Sequence, residues 1–170
     1  MEAKPLPEEK GTLPLRYLCT AALVTIFLQL VIGATLRHSA TWDQHLPTHL
    51  VLTHIGGAVA VTIALGMATF TVLQRHKDEK FLARPALIAL LLLFVQLSLG
   101  IAAYVTRLKS PGDPQPLNPM ISITVAHVAC GALVFVSTII LTLRTYRVLP
   151  AQSEAVQSSS FSLSAGNTAA

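Results

Sequence analysis

Four stretches of this 170-residue chain carry no charged side chain: 17–36, 50–73, 85–106 and 120–143, each 20 residues or longer. A helix rises about 1.5 Å per residue, so roughly 20 residues cross a hydrocarbon layer of about 30 Å. Backbone N–H and C=O groups find no water partners inside lipid, which leaves only helices or closed barrels as spanning structures. The runs lack the strict alternation of barrel strands, so helices are expected. Composition agrees, because 12% charged residues and a mean hydropathy of +0.61 are too few charges to cover an ordinary water-facing surface. The first run reads as a membrane helix and not a cleaved signal: Pro7-Glu8-Glu9 precede it, it is longer than a usual signal core, and no small-residue cleavage site ends it.

The charges between the runs set an orientation. Nine of the 12 Lys and Arg residues fall on one side: Lys4, Lys10 and Arg16, then Arg75, Lys77, Lys80 and Arg84, then Arg144 and Arg147. Arg37, Arg107 and Lys109 fall opposite. The positive-inside rule then puts both termini in the cytoplasm of a multi-pass protein in the cell (inner) membrane. The net charge of +4 is a topology signal, and no basic patch interleaved with aromatics supports nucleic-acid binding. The expected organisation is a cytoplasmic lead over 1–15, a membrane domain over 16–147 and a disordered Ser- and Ala-rich tail over 148–170. Prolines at 111, 114, 116 and 119 predict a stiff, non-helical outer loop over Ser110–Pro119. Cys19 and Cys130 lie at different depths and predict no disulfide.

The chain also repeats. Phe27-Leu28-Gln29-Leu30-Val31-Ile32-Gly33 in the first run matches Phe94-Val95-Gln96-Leu97-Ser98-Leu99-Gly100 in the third, and each is followed by an arginine, Arg37 or Arg107. The second run opens with Leu52-Thr53-His54-Ile55-Gly56-Gly57-Ala58 and the fourth with Val125-Ala126-His127-Val128-Ala129-Cys130-Gly131. The offset grows from 67 residues at the glutamines to 73 at the histidines, which the longer Pro-rich loop absorbs. The expected fold is therefore an all-α integral membrane protein: a four-transmembrane-helix bundle made of two repeated helical hairpins with pseudo-two-fold symmetry.

His54 and His127 are the histidines inside the apolar runs. They lie roughly 6 Å and roughly 10 Å below the outer starts of their helices, so two imidazoles can face each other across the bundle. Opposed imidazoles in an apolar bundle hold a heme iron by two axial ligands. Small residues at 56–58 and 129–131, with Gly33 and Gly100, leave room for a porphyrin, while Arg37 and Arg107 stand where anionic propionates reach water. The competing interpretation makes the histidines plain interhelical hydrogen-bonding groups, with Gln29 and Gln96 as partners. Either way, the glutamines are expected to hydrogen-bond across helices or to the ligand histidines. His38, His45 and His49, near Trp42 and Asp43, read as interfacial residues in preference to a metal site, since Pro47 interrupts their spacing. His76 reads as solvated in a charged loop. No Ser-His-Asp, P-loop or paired-carboxylate pattern occurs.

Gln29-x-x-x-Gly33-Ala34 leading to Arg37-His38, His54, Gln96-x-x-x-Gly100 leading to Arg107, and His127-Val128-Ala129-Cys130-Gly131-Ala132-Leu133 together resemble the heme A synthase family over roughly residues 15–147. Those membrane oxidoreductases convert the methyl group of heme O to the formyl group of heme A for cytochrome oxidase assembly. The resemblance implies a heme cofactor, b type, held at the iron by His54 and His127, with heme O and heme A as substrate and product. It further implies heme O synthase or cytochrome oxidase as partners beside membrane lipid. Most bacterial members have eight helices in two such halves, so this chain is half-sized, and a homodimer would restore eight. Where the family's first half has a glutamate three residues before the helix 2 histidine, this chain has Val51, and its outer loop lacks the family's cysteine pair. The likeness is thus closer to the heme b-binding half, and a non-catalytic di-histidine b-type cytochrome is the alternative, with a cofactor-free structural subunit behind it.

Overall fold

A computed structural model describes residues 14–43, 47–109 and 118–148, with the backbone alone over 40–43. The expected lead and tail therefore fall outside the described residues, apart from their edges. Four helices follow one another: α1 Leu15–Asp43, α2 Thr48–Arg75, α3 Lys80–Leu108 and α4 Asn118–Val148. All four are long and apolar enough to cross a membrane, and together they form a four-helix bundle fit for a multi-pass membrane protein.

Each helix continues past its uncharged run, because a helical backbone keeps its own hydrogen bonds as it leaves the hydrocarbon. Arg37 and His38 are thus on α1, and Lys80 and Arg84 on α3. Two expectations about prolines are corrected. The Pro-rich loop was expected to run to Pro119, but α4 begins at Asn118. Proline is accepted in a first helical turn, whose N–H groups have no intrahelical acceptor. Residues 110–117 lie outside the description. Pro85 does not open the third helix but sits inside α3, one turn after Lys80. Proline has no N–H to give the carbonyl four residues back, so Phe81 O loses its helical donor. Arg144 of α4 supplies the replacement: its Nη1 donates to Phe81 O at 2.7 Å, and its guanidinium lies over the Phe81 ring at 4.5 Å from the ring centre.

Around the bundle the order is α1, α2, α3, α4. The hairpin pairs α1–α2 and α3–α4 pack most extensively, α1–α4 and α2–α3 less so, and the diagonal pairs do not touch along their backbones. The starts of α1 and α3 and the ends of α2 and α4 share one end of the bundle, here called the terminal end. A hydrogen bond of 3.2 Å between the Thr20 and Tyr146 hydroxyls joins α1 to α4 there.

Packing is concentrated in the terminal half. One apolar cluster centres on Leu15, Val72, Leu82 and Leu141, and the next on Ile26, Leu65, Leu93 and Val134. No described side chain is buried beyond Ile26 in α1, before Val61 in α2, beyond Leu93 in α3 or before Cys130 in α4. Buried polar residues join the packed half too. Thr69, Thr138, Thr142 and Thr145 turn their hydroxyls onto carbonyls of their own helices at 2.7–2.8 Å, and Thr142 also reaches Cys19 O of α1 at 3.4 Å. His76, expected to be solvated, is 9% exposed. It ends α2, its N–H donating to Val72 O at 2.8 Å and its carbonyl accepting from Glu79 N–H at 3.0 Å, so the tight α2–α3 turn folds it inward. Cys19 and Cys130 are both buried, and no disulfide joins them.

Candidate functional site

The two membrane histidines meet at the boundary between the packed half and the looser half. His54 of α2 and His127 of α4 belong to a diagonal pair, so their side chains reach across the bundle interior. Their ring centres are 6.4 Å apart and the ring planes cross at 78°.

Each ring is held from the first helix of its own hairpin. Gln29 Nε2 donates to His54 Nδ1 at 3.1 Å and to the His54 carbonyl at 2.8 Å. Gln96 Nε2 donates to His127 Nε2 at 3.4 Å. Among the described residues, His54 Nε2 and His127 Nδ1 receive no hydrogen-bonding partner, and His127 Nδ1, Gln29 Oε1 and Gln96 Oε1 are buried. Unpartnered buried polar atoms are costly in low dielectric, and these three belong to the two glutamine–histidine pairs. The amide orientation also fixes the proton. A glutamine that presents its NH₂ makes the facing ring nitrogen an acceptor, so the proton sits on the other nitrogen. Turned over, the amide presents Oε1, accepts a ring N–H and leaves the far nitrogen its lone pair, the form that binds a metal.

Glycines make these approaches possible. A Cβ on Gly33 would lie 3.0 Å from Cε1 of His54, and one on Gly100 would lie 3.0 Å from Cε1 of His127. A Cβ on Gly57 would collide with Gln29 Oε1, and one on Gly131 would lie 3.0 Å from Gln96 Nε2. The space expected at these glycines for a porphyrin is therefore taken by imidazoles and amides, because the glutamine side chains fold back into it. Gly56 faces nothing within 4 Å.

Arg37 is exposed, four residues past Gly33, and Arg107 is half-buried, seven residues past Gly100. Those spacings keep each arginine on the stripe of the glycine that meets a histidine, about 6 Å and about 10 Å farther along the helix. Val51 is half-buried one turn before His54, with no acidic residue in α2. His38 and His49 are exposed. His45 and the side chains of Trp42 and Asp43 lie outside the described residues. Among the described residues, no three His, Cys, Asp or Glu side chains gather as a metal set.

No family model matches the chain, and no curated protein or solved structure is significantly similar to it.

What the arrangement can do is set by its spacing. An imidazole nitrogen lies about 1.1 Å from its ring centre and bonds a first-row metal at about 2 Å. Two rings on opposite sides of one ion therefore have centres roughly 6.3 Å apart, whereas two rings at a tetrahedral angle close to about 5 Å. The observed 6.4 Å matches the opposed arrangement. Crossed planes are compatible with it, since each ring is free to rotate about its own metal–nitrogen axis.

Proposed function

We propose that this chain is a heme-binding membrane protein in which His54 and His127 hold the iron from its two faces. The observation that carries this is the 6.4 Å separation of two imidazoles from diagonal helices. A second feature supports the reading: turning the Gln29 and Gln96 amides would bring their unpartnered Oε1 atoms to ring N–H groups, withdraw the amides from the space beside Gly57 and Gly131, and give each histidine the tautomer a ligand needs. Heme supplies a reversible one-electron couple and, with oxygen, the means to oxidise a methyl group.

The remaining roles fall to the chain itself. Gln29 and Gln96 orient the rings and hold their protons at the nitrogens facing α1 and α3. The packed apolar clusters below exclude water from the terminal side. Arg37 and Arg107 meet the propionates of the heme at the outer edge. A Cβ on Gly33 or on Gly100 would meet Cε1 of the histidine of its own hairpin at the same 3.0 Å, which supports the interpretation of the fold as two repeats about a pseudo-two-fold axis. The distribution of Lys and Arg supports cytoplasmic termini.

The resemblance to heme A synthases extends the proposal to an activity: oxidation of the heme O methyl group to the heme A formyl group, alongside heme O synthase and cytochrome oxidase. Val51, where that family has its glutamate, favours a second proposal, a b-type cytochrome that carries electrons or handles heme without converting it.

Two measurements test these proposals. The detergent-purified protein is expected to show a six-coordinate, low-spin heme spectrum, and a pyridine hemochrome assay identifies the heme. A protein that stays colourless with added hemin rejects the cofactor and leaves the histidines as hydrogen-bonding groups. Co-expression with a heme O synthase, followed by heme extraction, separates the two activities: heme A above background supports the oxidase, and its absence from a heme-loaded protein supports the cytochrome.

A further inference from the structure

Away from the histidines, charge is most one-sided at the terminal end, where α1 meets α4. Arg16 immediately precedes the uncharged run of α1, and Arg144 and Arg147 closely follow that of α4, so all three stand at headgroup depth. Among the described residues, α1 and α4 carry no acid at this end, whereas Arg75, Lys77 and Lys80 share the α2–α3 turn with Asp78 and Glu79. Arg144 is engaged with the Phe81 carbonyl and ring. Arg16 lies over the Tyr17 ring, 5.2 Å from its centre, and among the described residues neither Arg16 nor Arg147 meets a carboxylate.

These two arginines flank a cleft with a defined floor. Thr20, one turn after Arg16 on the same face of α1, gives its hydroxyl proton to Arg16 O at 2.8 Å, so Tyr146 is the donor in the 3.2 Å bond that joins α4 to Thr20. Both hydroxyl protons are spent there. Donors for a ligand therefore come from Arg16 and from Arg147, which is exposed one residue past Tyr146. Two turns deeper the Phe27 and Phe135 rings meet at 6.2 Å and close the same pair of helices. Between these contacts, Val24 one turn after Thr20 and Leu143 one turn before Tyr146 are exposed. The cleft thus presents cations at its mouth and, below them, an apolar wall about 10 Å long from Thr20 to Phe27.

We propose that this cleft binds one anionic phospholipid, its phosphate between Arg16 and Arg147 and an acyl chain along Val24 and Leu143. A guanidinium presents paired N–H donors that match phosphate oxygens. The Tyr17 ring holds the Arg16 guanidinium at the interface, ready for that contact. Basic pockets between membrane helices take anionic headgroups, each cation contributing about fivefold in affinity. The acids of the α2–α3 turn repel a phosphate, and Arg144 is committed elsewhere, so the α1–α4 cleft is the seat of choice at this end. Lipid binding here stands apart from the heme reading and does not require it.

The test is native mass spectrometry of the full-length protein in detergent, titrated with dioleoyl phosphatidylglycerol. One lipid is expected to bind ahead of any other, and dioleoyl phosphatidylcholine, whose headgroup carries no net charge, to bind more weakly. Arg16→Gln and Arg147→Gln each weaken phosphatidylglycerol binding by about fivefold. Arg84→Gln removes the same charge from α3 at the same end and leaves binding unchanged. Glycerol phosphate, the headgroup without its chains, competes only weakly. The proposal is overturned by equal affinity for the two lipids, by an Arg84→Gln effect as large as that of Arg16→Gln or Arg147→Gln, or by glycerol phosphate competing as strongly as the dioleoyl lipid, which would make the cleft a site for a free anion. The wild-type comparison of the two lipids decides the matter even if a variant fails to fold. Each outcome is read on protein with or without heme.

Discussion

A methyl group added at Gly33 or Gly100 stands 3.0 Å from an imidazole carbon, closer than the ring accepts without moving. Gly33→Ala and Gly100→Ala are therefore expected to cost about 1–3 kcal/mol in stability and to lower heme content. Gly57→Ala should do the same by displacing the Gln29 amide. Gly56→Ala and Gly66→Ala meet nothing within 4 Å and provide the controls. Replacing glycine there should be neutral or stabilising by up to about 1 kcal/mol from helix propensity. Thermal unfolding in detergent measures all five, and a Gly56→Ala loss equal to that of Gly33→Ala would refute the steric account. The glycines near the histidines were visible in the sequence, but what fills the space beside them was not. Small residues announce a close approach without naming the group that approaches, and at Gly57 it is an amide from another helix.

Among the elements, α3 and α4 are tied at the terminal end by the bond from Arg144 to Phe81 O. Arg144→Ala leaves Phe81 O without its donor and should cost about 0.5–1.5 kcal/mol, water replacing part of the bond at this exposed edge. Pro85→Ala restores an N–H to the α3 ladder, and in that background the Arg144→Ala penalty should shrink. A double-mutant cycle on unfolding free energies reads the coupling directly, and additive penalties would show that Arg144 does not substitute for the missing N–H. The four helices were legible from their uncharged runs, since lipid imposes that pattern. Their ends were not. Once a helix leaves the hydrocarbon, hydropathy stops reporting on it, and the turn of α3 before Pro85 is held by an arginine more than sixty residues away in sequence, which no local pattern encodes.

For the molecule as a whole, the unequal packing of its two halves should govern where it yields. Leu65→Ala, in the packed half, should cost about 2–5 kcal/mol, while Leu52→Ala, 63% exposed in the other half, should change stability little. Hydrogen exchange is expected to be slowest around Leu65, Leu93 and Val134 and faster toward Leu52 and Ile101, and uniform protection would contradict the difference in packing. This gradient was hidden in the sequence because a membrane helix is apolar on every face, so its buried stripe does not stand out from its lipid-facing one. The contact between Arg144 and Phe81 also has a bearing on biosynthesis. Ribosomes deliver α3 well before the last turn of α4, so the nascent third helix lacks the Arg144 donor for its Phe81 carbonyl until then. That contact forms only when the final helix arrives, which makes closure of the terminal end of the bundle a late event.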